Sequence, residues 1–219
     1  FRRVLFRSNP ITLETREARV SGAFETRTGA GDVLVVLDPD EMVKSSEVGR
    51  FERSWSWVDA IEQEVGPVRT AKTTELNAKM LESTAFVIVT QSSNASERMQ
   101  SHLGLLEGFV THGGTLLLEV PQGAIRATFA ADGEGGWRSP RAITAVDRVT
   151  PDVALPLLKM PLFTRFVGST RPPKDAVSFL AMDGSPVVYA TRRGDGVVVV
   201  VDFDFGSQVS ALQQGLPTS

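Results

Sequence analysis

Three apolar runs of strand length punctuate the first part of the chain, and two stretches between them are spaced like helix. Asp32-Val33-Leu34-Val35-Val36-Leu37-Asp38 is continuous and β-branched, bounded by Gly31 and Pro39. Such a run fits a strand buried on both faces, as in a parallel sheet covered by helices. A charged, Ser-rich loop runs from Pro39 to Gly49. Phe51, Trp55, Val58, Ile61 and Val65 then recur at helical spacing, with Trp57 off the stripe and Gly66-Pro67 as the stop. Val68–Ala71 predicts a short second strand and Glu75–Leu81 a short helix. Phe86-Val87-Ile88-Val89-Thr90 is the clearest third strand. Asn94 with Glu97 spells a capping box for a helix that carries Met99, Leu103, Leu106 and Val110 on one face and stops at Gly113-Gly114. Thr115–Val120 is the fourth strand and runs into Pro121-Gln122-Gly123. This alternation predicts an α/β fold, a doubly wound and mainly parallel sheet in a flavodoxin-like three-layer sandwich.

From Ala124 the rhythm weakens. Residues 124–175 read as an irregular Gly/Pro-rich excursion, with an exposed turn at Asp132–Gly136 and breaks at Pro151, Pro156, Pro161, Pro172 and Pro173. Ala176–Met182, Val187–Thr191 and Val197–Phe205 then read as strands, joined by the hairpin signals Asp183-Gly184 and Gly194-Asp195-Gly196. The chain closes with this C-terminal antiparallel meander and a short helix at Gln208–Gln214. One α/β domain is expected over 31–215, after a polar lead-in at 9–30.

Composition changes this picture little. The 219 residues are 42% apolar and 22% charged, which suits a soluble globular protein and excludes collagen-like and strongly disordered classes. With no Cys there is no disulfide, thiolate nucleophile or thiolate metal site, although this fixes no compartment. No stretch approaches the ~18 apolar residues that read as a membrane-spanning helix.

Charge needs one correction. Phe1-Arg2-Arg3-Val4-Leu5-Phe6-Arg7-Ser8 resembles the in-frame translation of a sequencing-library adapter at every codon, so residues 1–8 are set aside. Without Arg2, Arg3 and Arg7 the formal charge moves from −3 to −6. No basic block remains to suggest nucleic acid or an anionic membrane. The adapter implies that the natural N-terminus, and any signal peptide, is missing. Gly215-Leu216-Pro217-Thr218-Ser219 reads as a turn leading onward, with 216–219 the start of a truncated continuation into a downstream domain.

Several segments together resemble the class I glutamine amidotransferase-like superfamily, in its non-catalytic, little-characterised branches. They are the strand Val33–Asp38, the strand and loop Phe86–Ser93, the helix–Gly-Gly–strand Glu97–Glu119, and Gly194-Asp195-Gly196-Val197 with Asp202-Phe203-Asp204-Phe205-Gly206. Leu106-Glu107-Gly108-Phe109-Val110-Thr111-His112-Gly113-Gly114-Thr115-Leu116-Leu117 is the most family-like phrase. The resemblance covers about two-thirds of the chain at the level of pattern, and fold does not fix function. It implies that a glutaminase would carry a Gly-x-Cys-x-Gly elbow after the fourth strand and a His-x-Glu pair downstream. Here the elbow stretch is Glu119-Val120-Pro121-Gln122-Gly123, with Pro121 at the Cys position, and neither His102 nor His112 lies downstream. Ammonia production from glutamine is therefore not expected.

His102 and His112 are ten residues apart without zinc-ligand spacing, so both read as structural, His112 at a helix C-terminus. No Gly-x-Ser-x-Gly elbow is present. Asp202 and Asp204 leave one strand face, and Asp-Phe-Asp-Phe-Gly superficially resembles the paired-Asp motif of polysaccharide deacetylases. Those enzymes also need a His-x-x-x-His pair that this chain lacks, so a solvated strand end is the simpler reading. Asn94-Ala95-Ser96 spells a glycosylation sequon, but capping is expected of it. Trp55, Trp57 and Trp137 could offer a sugar-stacking surface, with Trp55 in the core and Trp137 exposed.

Better placed are the residues at the carboxyl ends of the parallel strands, where open α/β sheets bind ligands. These are Asp38, Asp40 and Glu41, then Gln91 and Ser92, then Glu119 and Gln122. Each can hydrogen-bond a polar small molecule such as a carbohydrate, and each also suits a loop or cap. No metal set and no cofactor motif is read. The expected function is a non-catalytic binding or interaction domain of a larger protein, and the resemblance implies a carbohydrate-active or envelope-associated bacterial one. The alternative is a hydrolase of a polar or carbohydrate substrate using Glu119 and Asp38, which needs two carboxyl groups about 5–9 Å apart.

Overall fold

The computed structural model describes residues 33–38, 57–63, 66–130, 136–139, 142–145, 165–167 and 171–205. Strand β1 (Val33–Leu37) lies beside β2 (Arg69–Lys72) and β3 (Phe86–Val89), and β3 pairs with β4 (Thr115–Glu119), all in parallel. Two further strands, β5 (Trp137–Arg138) and β7 (Phe166–Val167), form a separate antiparallel ribbon. β6 (Ile143–Ala145), β8 (Val177–Met182), β9 (Ser185–Arg193) and β10 (Gly196–Val201) complete the main sheet, in the order β2-β1-β3-β4-β10-β9-β8-β6.

The last strand plays two parts. β10 runs parallel to β4 and antiparallel to β9, so it closes the parallel half and opens the meander. The parallel half thereby has the order 2-1-3-4-5 of a flavodoxin-like doubly wound sheet, with β10 in fifth place and the switch point between β1 and β3.

Side-chain parity explains why the sheet is covered on both faces. Successive residues of a strand point to opposite sides. Leu34, Val36, Val87, Val89, Leu116, Leu118, Val198 and Val200 pack on one side. That side is covered by α2 (Ala78–Glu82), α4 (Glu97–Ser101), α5 (Leu103–Thr111) and α6 (Gly123–Phe129), through Leu81, Met99, Leu106, Val110, Ile125 and Phe129. Val35, Leu37, Ile88, Leu117 and Val201 face the other side, against Trp57 and Val58 of the helical segment α1 (57–63) and against Phe166 and Phe203. Strands buried twice over have no polar positions to spare, hence the unbroken Val/Leu runs.

Several local expectations are corrected. The segment expected as one helix at Glu75–Leu81 is a 3-10 turn at Thr73–Glu75 followed by α2, because Asn77 restarts the helix by accepting the Met80 N–H. Met99 and Val110 share a buried face, but the helix is broken at His102 into α4 and α5. Trp57, expected off the stripe, is buried and stacks on Phe205 with ring centroids 4.0 Å apart. Phe51, Trp55, Val65, the lead-in at 9–30, most of the excursion and the helix at 208–214 lie outside the described residues.

Gly108 sits mid-way along α5, with open space where a Cβ would go. Gly108→Ala is expected to stabilise the protein by about 1 kcal/mol, since only the backbone entropy of glycine is removed. Urea unfolding checks it, and a loss of stability would contradict the open setting.

Candidate functional site

The carboxyl ends of β1, β3, β4 and β10 meet along one edge, and the chain turns polar as it leaves each strand. Asp38 succeeds β1 and is buried. Three hydroxyls bond the last two carbonyls of β1: Thr90 Oγ1 and Ser93 Oγ donate to Val36 O at 3.2 and 2.9 Å, and Thr73 Oγ1 to Leu37 O at 3.2 Å. Ser92 Oγ lies 3.1 Å from Thr90 Oγ1, so it joins the same chain of hydroxyls.

β3 and β4 are tied by side chains where their ladder ends. Gln91 opens a single helical turn, α3 (Gln91–Asn94), and its N–H donates to Glu119 Oε2 at 2.9 Å. Asn94 Nδ2 donates to both Val89 O at 3.0 Å and Glu119 O at 2.7 Å. The capping box expected of Asn94 is therefore corrected: Ser96 caps α4 by accepting the Arg98 N–H, while Asn94 is fully buried between strand ends. A fully buried Nδ2 that already donates to two main-chain carbonyls is closed to glycosylation.

The turn after β4 carries backbone strain. Val120 is buried with φ +45°, a left-handed conformation that costs a β-branched residue about 1–2 kcal/mol. Proline's ring holds φ near −65°, so Pro121 could not take this conformation. Val120 takes it, held by its N–H to Val201 O at 2.8 Å. Neither residue carries a nucleophilic atom. Gln122 is exposed at the N-terminus of α6 and makes no side-chain cap.

The carboxylates after β10 are a second correction. In place of the expected solvated strand end, Asp202 and Asp204 are buried at 0% and 3% exposure. A distant segment covers them: Phe166 bridges Phe203, Val167 N–H donates to Asp202 O, and Asp204 N–H donates to Arg165 O. Asp202 meets Arg126 of α6 in a fork, Nη1 to Oδ1 at 2.9 Å and Nη2 to Oδ2 at 3.2 Å, with the Tyr189 hydroxyl at 3.4 Å. Burial pushes the Asp202 carboxyl above its ordinary 3.8, against the lowering pull of Arg126 and Tyr189. This buried ion pair escaped the sequence reading because seventy-odd residues separate its members. Arg126 in an otherwise apolar helix stripe was its one available signal.

Of the residues singled out from sequence, the fold joins Gln91 to Glu119 directly and links Ser92 to the end of β1 through Thr90. Asp38 and Gln122 stand at the ends of β1 and β4, and Asp40 lies outside the described residues. Both His rings contact main-chain oxygens, His102 Nε2 at 2.9 Å from Thr73 O and His112 Nδ1 at 2.7 Å from Gly108 O. Among the described residues no cluster of three His, Asp or Glu could hold a metal ion. A three-Trp surface is not formed, because Trp57 is buried. Trp137 is 39% exposed with the Arg165 guanidinium 5.2 Å from its ring centroid.

Comparison with known proteins adds the fold to this geometry. A ThuA-like protein from Bacteroides uniformis ATCC 8492 matches with a TM-score of 0.52 at 10% identity, over 87% of this chain and 92% of that one. A cytoplasmic protein from Salmonella typhimurium LT2 matches with a TM-score of 0.52 at 10% identity, over 77% of this chain and 86% of that one. The chain shares its fold with ThuA-like proteins, a class I glutamine amidotransferase-like fold. At these identities the likeness shows the fold alone. A cold-adapted β-galactosidase from Rahnella sp. R3 matches with a TM-score of 0.47 at 14% identity, over 88% of this chain, which spans only 32% of that enzyme. No family model and no curated protein matches the chain.

Proposed function

We propose that this chain is a non-catalytic, amidotransferase-like binding domain of a larger protein, and that it takes a neutral polyhydroxylated molecule of the carbohydrate class. The ligand lies across the carboxyl ends of β1, β3 and β4, with Asp38, Asp40, Gln91, Ser92, Glu119 and Gln122 as its hydrogen-bonding partners. The observation that carries this reading is the direct bond between Gln91 and Glu119 beside the switch point, where doubly wound sheets bind ligands. Carboxylates, amides and a hydroxyl match the mixed donors and acceptors of a sugar. Buried acids at the same edge disfavour an anionic ligand. The hydrolase alternative has less support, since the strained turn after β4, at Val120 and Pro121, offers no nucleophilic atom.

Calorimetric titration with a panel of neutral mono- and oligosaccharides tests the reading. One sugar class is expected to bind, and Gln122→Ala to weaken it by roughly three- to tenfold, the worth of one hydrogen bond, without changing Tm. Absence of binding across the panel removes the proposal. Turnover of aryl glycosides that Glu119→Gln abolishes would install the hydrolase in its place.

A further inference from the structure

We infer that Gln100, a residue outside the ligand-contact set, is the positioning residue that holds the turns after β3 and β4 at one spacing. The inference rests on the binding reading above, because those turns carry Gln91 and Gln122.

Gln100 reaches out of the last full turn of α4 and is half-buried between the two turns. Its Nε2 donates to Asn94 O, at the end of α3, at 3.1 Å, and to Gln122 O, before α6, at 3.4 Å. Its Oε1 accepts the N–H of Ile125 at 3.1 Å. The first N–H groups of a helix have no partner of their own, and Gln122 at the cap position supplies none. Gln100 therefore caps α6 from another helix. Gly123 makes room for it, with φ +54° and Gln100 Oε1 only 3.2 Å from where a Cβ would stand.

A second connection closes the loop on the sheet side. Glu119 at the end of β4 accepts Gln91 N–H through its carboxylate and Asn94 Nδ2 through its carbonyl. One amide side chain and one carboxylate thus clamp the same two turns from opposite ends. Neither turn can shift along the edge without breaking bonds at both. Donor and acceptor on one terminal amide are what the geometry requires, and only Gln or Asn combines them.

Two variants of the whole chain separate positioning from bulk packing. Gln100→Met keeps the volume and removes donor and acceptor, whereas Gln100→Glu keeps an acceptor oxygen and removes the donor. By amide hydrogen exchange, Gln100→Met is expected to speed exchange at Ile125 roughly tenfold and leave Leu34–Leu37 unchanged. Gln100→Glu is expected to keep Ile125 protected, while the carbonyl ¹³C resonances of Asn94 and Gln122 move in both variants. Unchanged exchange at Ile125 in Gln100→Met, equal acceleration in both variants, or acceleration spread evenly through the sheet each overturn the inference. Should Gln100→Met not fold, the Gln100→Glu spectrum decides: protected Ile125 with shifted carbonyls supports positioning, and unshifted carbonyls overturn it. Exchange is measured without sugar, so a silent sugar panel removes the binding reading and a flat exchange profile removes this one.

Discussion

Arg126→Met is expected to cost about 3–5 kcal/mol of stability at neutral pH, because it leaves the fully buried Asp202 without its counter-charge. The pH dependence gives the change a signature. Burial already raises the Asp202 carboxyl above 3.8 in the folded protein. A carboxyl raised on folding holds its proton more tightly in the native state than in the unfolded chain. Its favourable contribution is therefore complete below the unfolded value and is lost as pH rises through the folded one. Removing Arg126 withdraws a lowering influence, moves the folded value further up and deepens the loss at neutral pH. The stability gap between wild type and variant is thus widest near pH 7 and narrows as pH falls and the raised Asp202 carboxyl takes up its proton. Urea unfolding over that range reads it directly. The double variant Arg126→Met with Asp202→Asn recovers most of the loss, since no buried charge is left unmatched. A gap of equal size at every pH would place the effect in packing and not in the ion pair.

Gly196→Ala is expected to cost at least about 3 kcal/mol, the upper end of what overpacking does. A Cβ at this position would stand inside the van der Waals envelope of the Val110 and Gly114 carbonyl oxygens. Those atoms are backbone, fixed by the end of α5 and by the Val197 N–H donated to Gly114 O. No rotamer change can relieve the contact, and the start of β10 must move away from β4. Thermal unfolding compares the variant with Gly108→Ala, where the same methyl enters open space. Similar Tm shifts for the two would contradict the close approach. The consequence reaches the candidate edge, because β10 carries Asp202 to Arg126 and Val201 O to the strained Val120.

Much of the fold was legible because double burial leaves a plain trace. Val33–Leu37, Phe86–Val89 and Thr115–Glu119 could be read as strands from their unbroken apolar runs, and Gly113-Gly114 as the stop between helix and strand. The meander was legible from Asp183-Gly184 and Gly194-Asp195-Gly196, which supply the turns before β9 and β10. Asn94 shows where such reading ends. Its spacing to Glu97 matches a cap, and a cap is a local bond; the bonds it makes are to carbonyls on two strands. Local pattern cannot separate these uses, since a short polar side chain near a helix start serves both equally well.

Residue order was enough to say which segments become β1, β3, β4 and the meander, that the strand ends are polar, and that these 219 residues carry no thiol. Those properties depend on period, chain stiffness and residue type, which are local. Packing alone brings β10 back beside β4, sets Arg126 against Asp202 under cover of β7, and lets Gln100 cap a helix other than its own. Each of these joins residues far apart in the chain. Their energies come from burial and from satisfying polar groups left over at element ends, and burial exists only once the layers have closed.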